Sequence, residues 1–179
     1  LILCALDVRP AKDDGIRMKQ DVDTGDSLRA QLMNRLAFRL YQCANLLNKT
    51  GTRALEAHDV TTQQWAVIGA LVRDRWADGI AVHQLASLLM VSRQNLAGVL
   101  SRMEDRGLIE RVRSKKDSRS RLIRLTPDGW KRWEEMQGDI TGFYDGAMKD
   151  LSNSDLIHAL HYLDQMRKNM RELDESPGG

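Results

Sequence analysis

The chain has 179 residues, 42% of them hydrophobic and 29% charged, with a formal net charge of +2. With three prolines and two cysteines, that composition describes a folded domain with a sizeable core and excludes collagenous, disordered and disulfide-framework proteins. No apolar run reaches the roughly 20 residues needed to cross a bilayer, and residues 1–6 lack the basic start and cleavage site of a secretory leader, so a cytoplasmic protein with no membrane partner is expected.

The chain does not begin with Met, and Met18 offers an alternative start. Residues 1–26 mix charges with Gly and Pro without a period and read as a flexible N-terminal extension. From 27 to 49, Leu28, Leu32, Leu36, Leu40, Ala44 and Leu47 recur at spacings of four and three, which predicts a long amphipathic helix. Met33, Tyr41, Cys43 and Leu46 widen its apolar band beyond the needs of one small domain, so a partner subunit is expected to cover it. Gly51 should stop this helix, a short helical piece over 52–57 should follow, and 27–58 forms a dimerisation helix with its connector. Thr61-x-x-Gln64 reads as a capping box opening a helix that ends near Arg75, with Trp65, Ile68, Leu71 and Val72 inward. Residues 76–79 form a turn, and 80–82 suffice for a short strand.

Residues 83–90 place Leu85, Leu88 and Leu89 on one stripe of a short helix. Ser92 caps a second helix, which Gly107 closes at a position suited to positive φ. The pair fits a helix-turn-helix. On the second helix Leu96, Val99, Leu100 and Met103 share one face, while Gln94, Gly98, Ser101 and Asp105 lie opposite. A small outer face lets a helix sink into a major groove, and side chains of the type of Ser92, Arg93, Gln94, Asn95, Ser101 and Arg102 can contact base edges there. Residues 108–113 and 120–125 read as two strands around a polar, basic tip. Between Ser92 and Leu125 there are ten basic residues against four acidic ones, a local charge of +6. That concentration marks phosphate contact, with Lys115, Lys116, Arg119 and Arg121 as the wing residues that would make it. Asp117 is expected to pair with Arg119 or a strand arginine and hold the wing's shape. The unit spans 59–126.

Thr126 then caps a helix with Pro127 in its first turn and Trp130, Trp133, Met136, Ile140, Phe143 and Ala147 at helical spacing. Ser152-x-x-Asp155 opens a last helix with a stripe of Leu156, Leu160, Leu163, Met166, Met170 and Leu173. Residues 127–175 are expected to dimerise with the first helix. The fold class that follows is mainly α with a small β wing: a winged helix-turn-helix DNA-binding domain plus a helical dimerisation region.

The run Gly107-Leu108-Ile109-Glu110-Arg111, followed by Asp117-Ser118-Arg119-Ser120-Arg121-Leu122-Ile123-Arg124-Leu125-Thr126 and Pro127-Asp128-Gly129, resembles the wing of the MarR (multiple-antibiotic-resistance regulator) family. Thr61 to Leu71 resembles the helix that precedes the reading unit there, and the likeness runs from about Leu28 to Leu173. It implies a homodimer on a pseudo-palindromic DNA operator, usually a repressor, released by a small molecule or by cysteine oxidation. Where the hydroperoxide-sensing branch carries a reactive cysteine, this chain has Ala37, in Leu36-Ala37-Phe38-Arg39-Leu40-Tyr41, and alanine cannot be oxidised. Cys43 is the alternative redox residue, although a cysteine in an apolar helix usually behaves as a small hydrophobe. The resemblance otherwise implies an effector cleft between the first helix and the Trp65 helix. Arg39, Tyr41, Asn45, His58, Thr62 and Trp65 are the polar and aromatic groups available there, suited to an aromatic carboxylate, a phenol or its CoA thioester.

None of His58, His83, His158 and His161 stands in a metal-binding motif, and no nucleophile elbow, phosphate loop or carboxylate pair is present. No enzyme activity, cofactor or metal is expected. The competing class is a winged helix that docks an acidic protein partner and binds DNA without sequence preference.

Overall fold

A computed structural model describes residues 24–114 and 121–175. The chain divides at Cys43 and Ala44 into two units, which are taken separately. A single helix, α1 (Thr24–Ala54), runs through the division. In the first unit its large apolar residues Leu28, Leu32, Met33, Leu36, Phe38 and Tyr41 are all more than half exposed.

The second unit holds the core. After α1 come a 3-10 turn (Glu56–His58), α2 (Thr62–Leu71), a second 3-10 turn (Asp74–Trp76), β1 (Ile80–Ala81), α3 (Val82–Leu89), α4 (Arg93–Asp105), β2 (Ile109–Arg113), β3 (Arg121–Leu125), α5 (Pro127–Ala147) and α6 (Asn153–Glu175). The three strands form one antiparallel sheet in the order β1-β3-β2, with Ile80 opposite Ile123 and Arg111 opposite Ile123 on the other side. Helices α2, α3 and α4 pack on this sheet through Ile68, Leu85, Leu100 and Met103, and Met136 of α5 joins the same core. This is the winged helix-turn-helix architecture expected from the sequence, extended by long helices at both ends.

Local capping explains where the elements start. Thr61 accepts a bond from the Gln64 amide while the Gln64 side chain accepts one from the Thr61 amide, a complete capping box. Thr126 caps α5 by accepting from the Gly129 amide, with Pro127 in the first turn. At α6 the Ser152 hydroxyl and amide both donate to Asp155, holding its carboxyl below the usual range.

Three expectations need correction. Gly51 does not end α1, which continues to Ala54; it is buried, and a Cβ there would lie 2.8 Å from the Thr62 methyl group. The glycine serves close approach between α1 and α2 rather than a helix stop, and only the 3-10 turn remains of the separate piece expected over 52–57. α2 ends at Leu71 rather than near Arg75, because Arg73 turns extended and starts the second 3-10 turn. Val82 opens α3 instead of extending β1. The strand start expected at Ser120 lies outside the described residues.

On α5 the expected face is buried at Met136 and Ile140 and half-buried at Trp133 and Phe143, while Trp130 stays exposed. α6 buries no residue fully: Leu160, Leu163, Met170 and Leu173 of its stripe face solvent, and Leu156 and Met166 are half-covered. Among the described residues, no helix is long and apolar enough to cross a membrane.

Gly129 offers a direct test of how tightly α5 meets the sheet. A Cβ at Gly129 would sit 2.1 Å from the Leu108 carbonyl oxygen, whereas one at Gly138, on the same helix, meets nothing within 4 Å. Chemical denaturation should show Gly129→Ala destabilised by about 2 kcal/mol or more through backbone overlap. Gly138→Ala should gain up to about 1 kcal/mol from helix propensity.

Candidate nucleic-acid interface

The turn between α3 and α4 is built by Met90, which takes a left-handed conformation at φ 57°, and by Ser92, whose hydroxyl accepts from the Asn95 amide and starts α4. From there Leu96, Val99, Leu100 and Met103 are buried. Ser92, Arg93, Gln94, Asn95, Gly98, Ser101, Arg102 and Asp105 are all exposed. The packing therefore presents together all six residues expected to contact bases. The outward face is nearly flat at Gly98, and the Arg102 guanidinium lies 3.6 Å from where a Cβ would stand.

The C-terminal end of α4 is anchored. Arg106 donates to the Asp59 carbonyl at 2.6 Å, pairs with its carboxylate at 3.0 Å and reaches the buried Gln64, which ties the end of α4 to the start of α2. Gly107 then turns the chain at φ 68° into β2. On the wing, Arg111 is paired with Glu104 at 2.8 Å and Arg124 with Glu110 at 2.8 Å. Arg106, Arg111 and Arg124 are thus committed to the fold. Among the described residues, no carboxylate pairs with Arg93, Arg102, Arg113 or Arg121. Arg113 and Arg121 face each other where the two strands leave for the wing tip, and both are exposed. Lys115, Lys116, Arg119 and the expected Asp117 pairing lie outside the described residues.

A cleft of about 320 Å³ opens beside this unit. Its walls come from α1 (Ala44, Leu47, Asn48), α2 (Thr62, Trp65, Ala66), the turn after α3 (Val91) and α4 itself (Asn95, Leu96, Val99). The lining is mostly apolar, with carboxamides and a hydroxyl but no cationic side chain. Thr62 donates to Asn48 across it. The indole nitrogen of Trp65 is buried with no hydrogen-bond partner, and its ring meets Tyr144 at 6.1 Å. Burial raises the Tyr144 hydroxyl above the usual tyrosine range.

Of the six residues expected around an effector, Thr62 and Trp65 line this cleft. His58 is engaged elsewhere, with its Nε2 2.7 Å from Asp139 of α5. Asn45 is exposed on α1 and absent from the lining, while Arg39 and Tyr41 are exposed in the first unit, Arg39 bonding Gln42 at 2.9 Å. Sequence reasoning missed Asn48 and the second role of Asn95. The spacing of Ala44, Leu47 and Asn48 at i, i+3, i+4 was the available signal for the first. No group of three His, Cys, Asp or Glu residues could hold a metal among the described residues.

A MarR family sequence profile matches residues 58–120. The chain is 49% identical over 158 residues to the transcriptional activatory protein BadR of Rhodopseudomonas palustris, covering 88% of this chain and 90% of that one. It is 28% identical over 111 residues to the homoprotocatechuate degradative operon repressor of Escherichia coli, covering 62% and 73%. The crystal structure of transcriptional regulator PA4135 superposes with a TM-score of 0.65 at 28% identity, over 74% of this chain and 96% of that one. The chain therefore belongs to the MarR family of homodimeric, winged helix-turn-helix, DNA-binding transcriptional regulators.

Proposed function

We propose that the protein binds a pseudo-palindromic operator as a homodimer, reads base edges with α4, grips phosphates with the wing, and changes its DNA affinity when a small aromatic ligand enters the cleft. The domain roles follow the same division: 59–126 reads DNA, while 27–58 and 127–175 dimerise. Acting on operator DNA places the protein in the cytosol. The observation that carries this reading is that α4 is shared: its outer face is polar and open, while Asn95, Leu96 and Val99 form a wall of the cleft.

The cleft chemistry narrows the effector. A volume of about 320 Å³ lies at the small end of ligand sites and suits one aromatic ring with a short substituent. Burying a carboxylate without a cationic partner is costly, and no cation lines this wall. Phenols, and aromatic acyl thioesters of which only the acyl ring enters the cleft, are therefore favoured over free aromatic acids. The carboxamides of Asn48 and Asn95 and the Thr62 hydroxyl in the lining supply partners for a phenolic or carbonyl oxygen. Oxidation at Cys43, which is exposed on α1, is the weaker trigger because that residue does not line the cleft.

The expected mode of action is repression. A second mode has a specific observation behind it, since the relative sharing 49% identity is an activatory protein. Deleting the gene and following a reporter for the neighbouring promoter separates the two, with expression rising under repression and falling under activation.

Fluorescence anisotropy with DNA from upstream of the coding region, beside random DNA of equal length, tests the core claim. A preference of about a thousandfold or more is expected, with affinity falling steeply as salt rises. Equal weak binding to both would favour the protein-docking alternative. Adding benzoate, phenols and aromatic acyl-CoA thioesters to the operator complex should shift affinity most with the latter two, and a flat response to all would remove the effector assignment.

Two substitutions divide the labour of the interface. Gln94→Ala should cost roughly 1 to 3 kcal/mol on the operator and relax specificity, whereas Arg121→Ala should weaken all sequences alike and flatten the salt dependence. Equal losses on operator and random DNA for both variants would contradict this assignment.

Gly98→Ala separates stability from function. The free protein has room for the methyl group, and helix propensity should raise stability by up to about 1 kcal/mol. Operator affinity should nevertheless fall, because the added carbon stands where the helix backbone approaches the groove. Unchanged affinity would show that α4 does not seat at Gly98.

A further inference from the structure

On the other side of α3 lies a second pocket of about 390 Å³, which shares no residue with the cleft. Its polar lining is Arg75, His83, Gln84, Ser87 and Arg171, with Trp76 and Leu88 completing the wall, and no acidic residue contributes. His83, Gln84 and Ser87 come from one side of α3. Arg75 precedes β1, and Arg171 reaches in from near the end of α6.

The two guanidinium groups are under-used. Arg171 donates at 3.1 Å to the sulfur of Met90, a weak acceptor, and Arg75 lies over the Trp76 ring at 5.2 Å. Neither forms an ion pair with a carboxylate among the described residues, in contrast to Arg106, Arg111 and Arg124. The indole nitrogen of Trp76 is buried with no hydrogen-bond partner. Trp76 itself lines the pocket, so its indole N–H reports on changes there. The residue that caps α3, Ala81, has no side-chain acceptor for the first-turn amides, so the positive end of the helix adds to the field.

We propose that this pocket is a binding site for a phosphoryl group. Donors arrive from three elements at different angles, which suits a tetrahedral oxyanion more than a planar carboxylate. Two guanidinium groups supply charge, and His83, Gln84 and Ser87 supply orientation. An occupant here would tie α6, a dimerisation helix, to the first helix of the reading unit and so steady the spacing of the two reading heads. Such a group comes either from a free phosphorylated molecule or from the DNA backbone, which the first helix of a helix-turn-helix crosses.

The test uses the full-length dimer. Inorganic phosphate is titrated against chloride at equal ionic strength while the Trp76 indole N–H resonance is followed, assigned by its loss in Trp76→Phe. In parallel, operator affinity is measured across salt concentrations for the wild type, Arg75→Gln and Arg171→Gln, with thermal unfolding confirming that both variants fold. A saturable shift of the Trp76 signal that weakens tenfold or more in each variant establishes a site for a free phosphoryl ligand. Absence of that shift, with the salt slope falling by about one per variant, assigns the pocket to a backbone phosphate. Neither a phosphate response nor a change in slope overturns the proposal.

Discussion

Leu96, Val99, Leu100 and Met103 occupy one side of α4 and are almost wholly removed from water, and their burial determines what the other side can be. Each fully buried side chain of this kind stabilises by roughly 1.5 to 3 kcal/mol. Turning the helix by one residue, about 100°, would forfeit much of that and drive arginine toward the core. The rotation of α4 is thereby held without any contribution from DNA. Asp59, Gln64 and Arg106 then hold the helix at its far end, so its outward residues are presented before any duplex arrives. Such preorganisation spares binding part of the entropy of ordering side chains.

The same frame sorts the basic residues, which a count of charges treats alike. Arg106, Arg111 and Arg124 neutralise carboxylates inside the unit, two of them bracing the wing strands against α4 and each other. Arg93, Arg102, Arg113 and Arg121, left without a carboxylate partner among the described residues, form a smaller exposed set. Exposed ion pairs contribute little stability individually; their effect here is geometric, because they direct β2 and β3 so that Arg113 and Arg121 leave the sheet side by side.

Most of the architecture was legible because it rests on short-range rules. The capping residues Thr61, Ser92 and Thr126 and the period of the α4 stripe act within a few residues of their own positions. The misplaced boundaries share a different cause. Gly51 looks like a stop by propensity, yet a methyl group of a residue eleven positions later decides its role. The exposed polar face of α4 was readable as the complement of its buried stripe. The cleft was harder, because its lining is apolar and comes from four segments. Asn48 and Val91 carry no chemical signature that distinguishes a ligand wall from ordinary packing, whereas arginines and histidines attract attention wherever they stand. His58 shows the consequence: it pairs with Asp139 instead of lining the cleft.

Regulation by a ligand requires that occupancy of the cleft change the free energy of the DNA-bound arrangement, and the requirement is quantitative. A coupling of about 1 to 3 kcal/mol, typical of allosteric proteins, changes affinity between roughly fivefold and 150-fold. A packed wall can supply that much because it resists gradual deformation. Leu96 and Val99 are in the core as well as on the cleft, so a ring that displaces them must move α4 as a body or be excluded. Asn95 sits in the first turn of the same helix with its amide held by Ser92, and a shift of that turn would carry the exposed Arg93 and Gln94 with it. In a dimer whose two reading helices fit half-sites about 34 Å apart, a displacement in one subunit would spoil the register of both. α1 and α6 leave long apolar stripes exposed in the single chain, and a subunit packed on them would make the movement of one α4 felt at both half-sites.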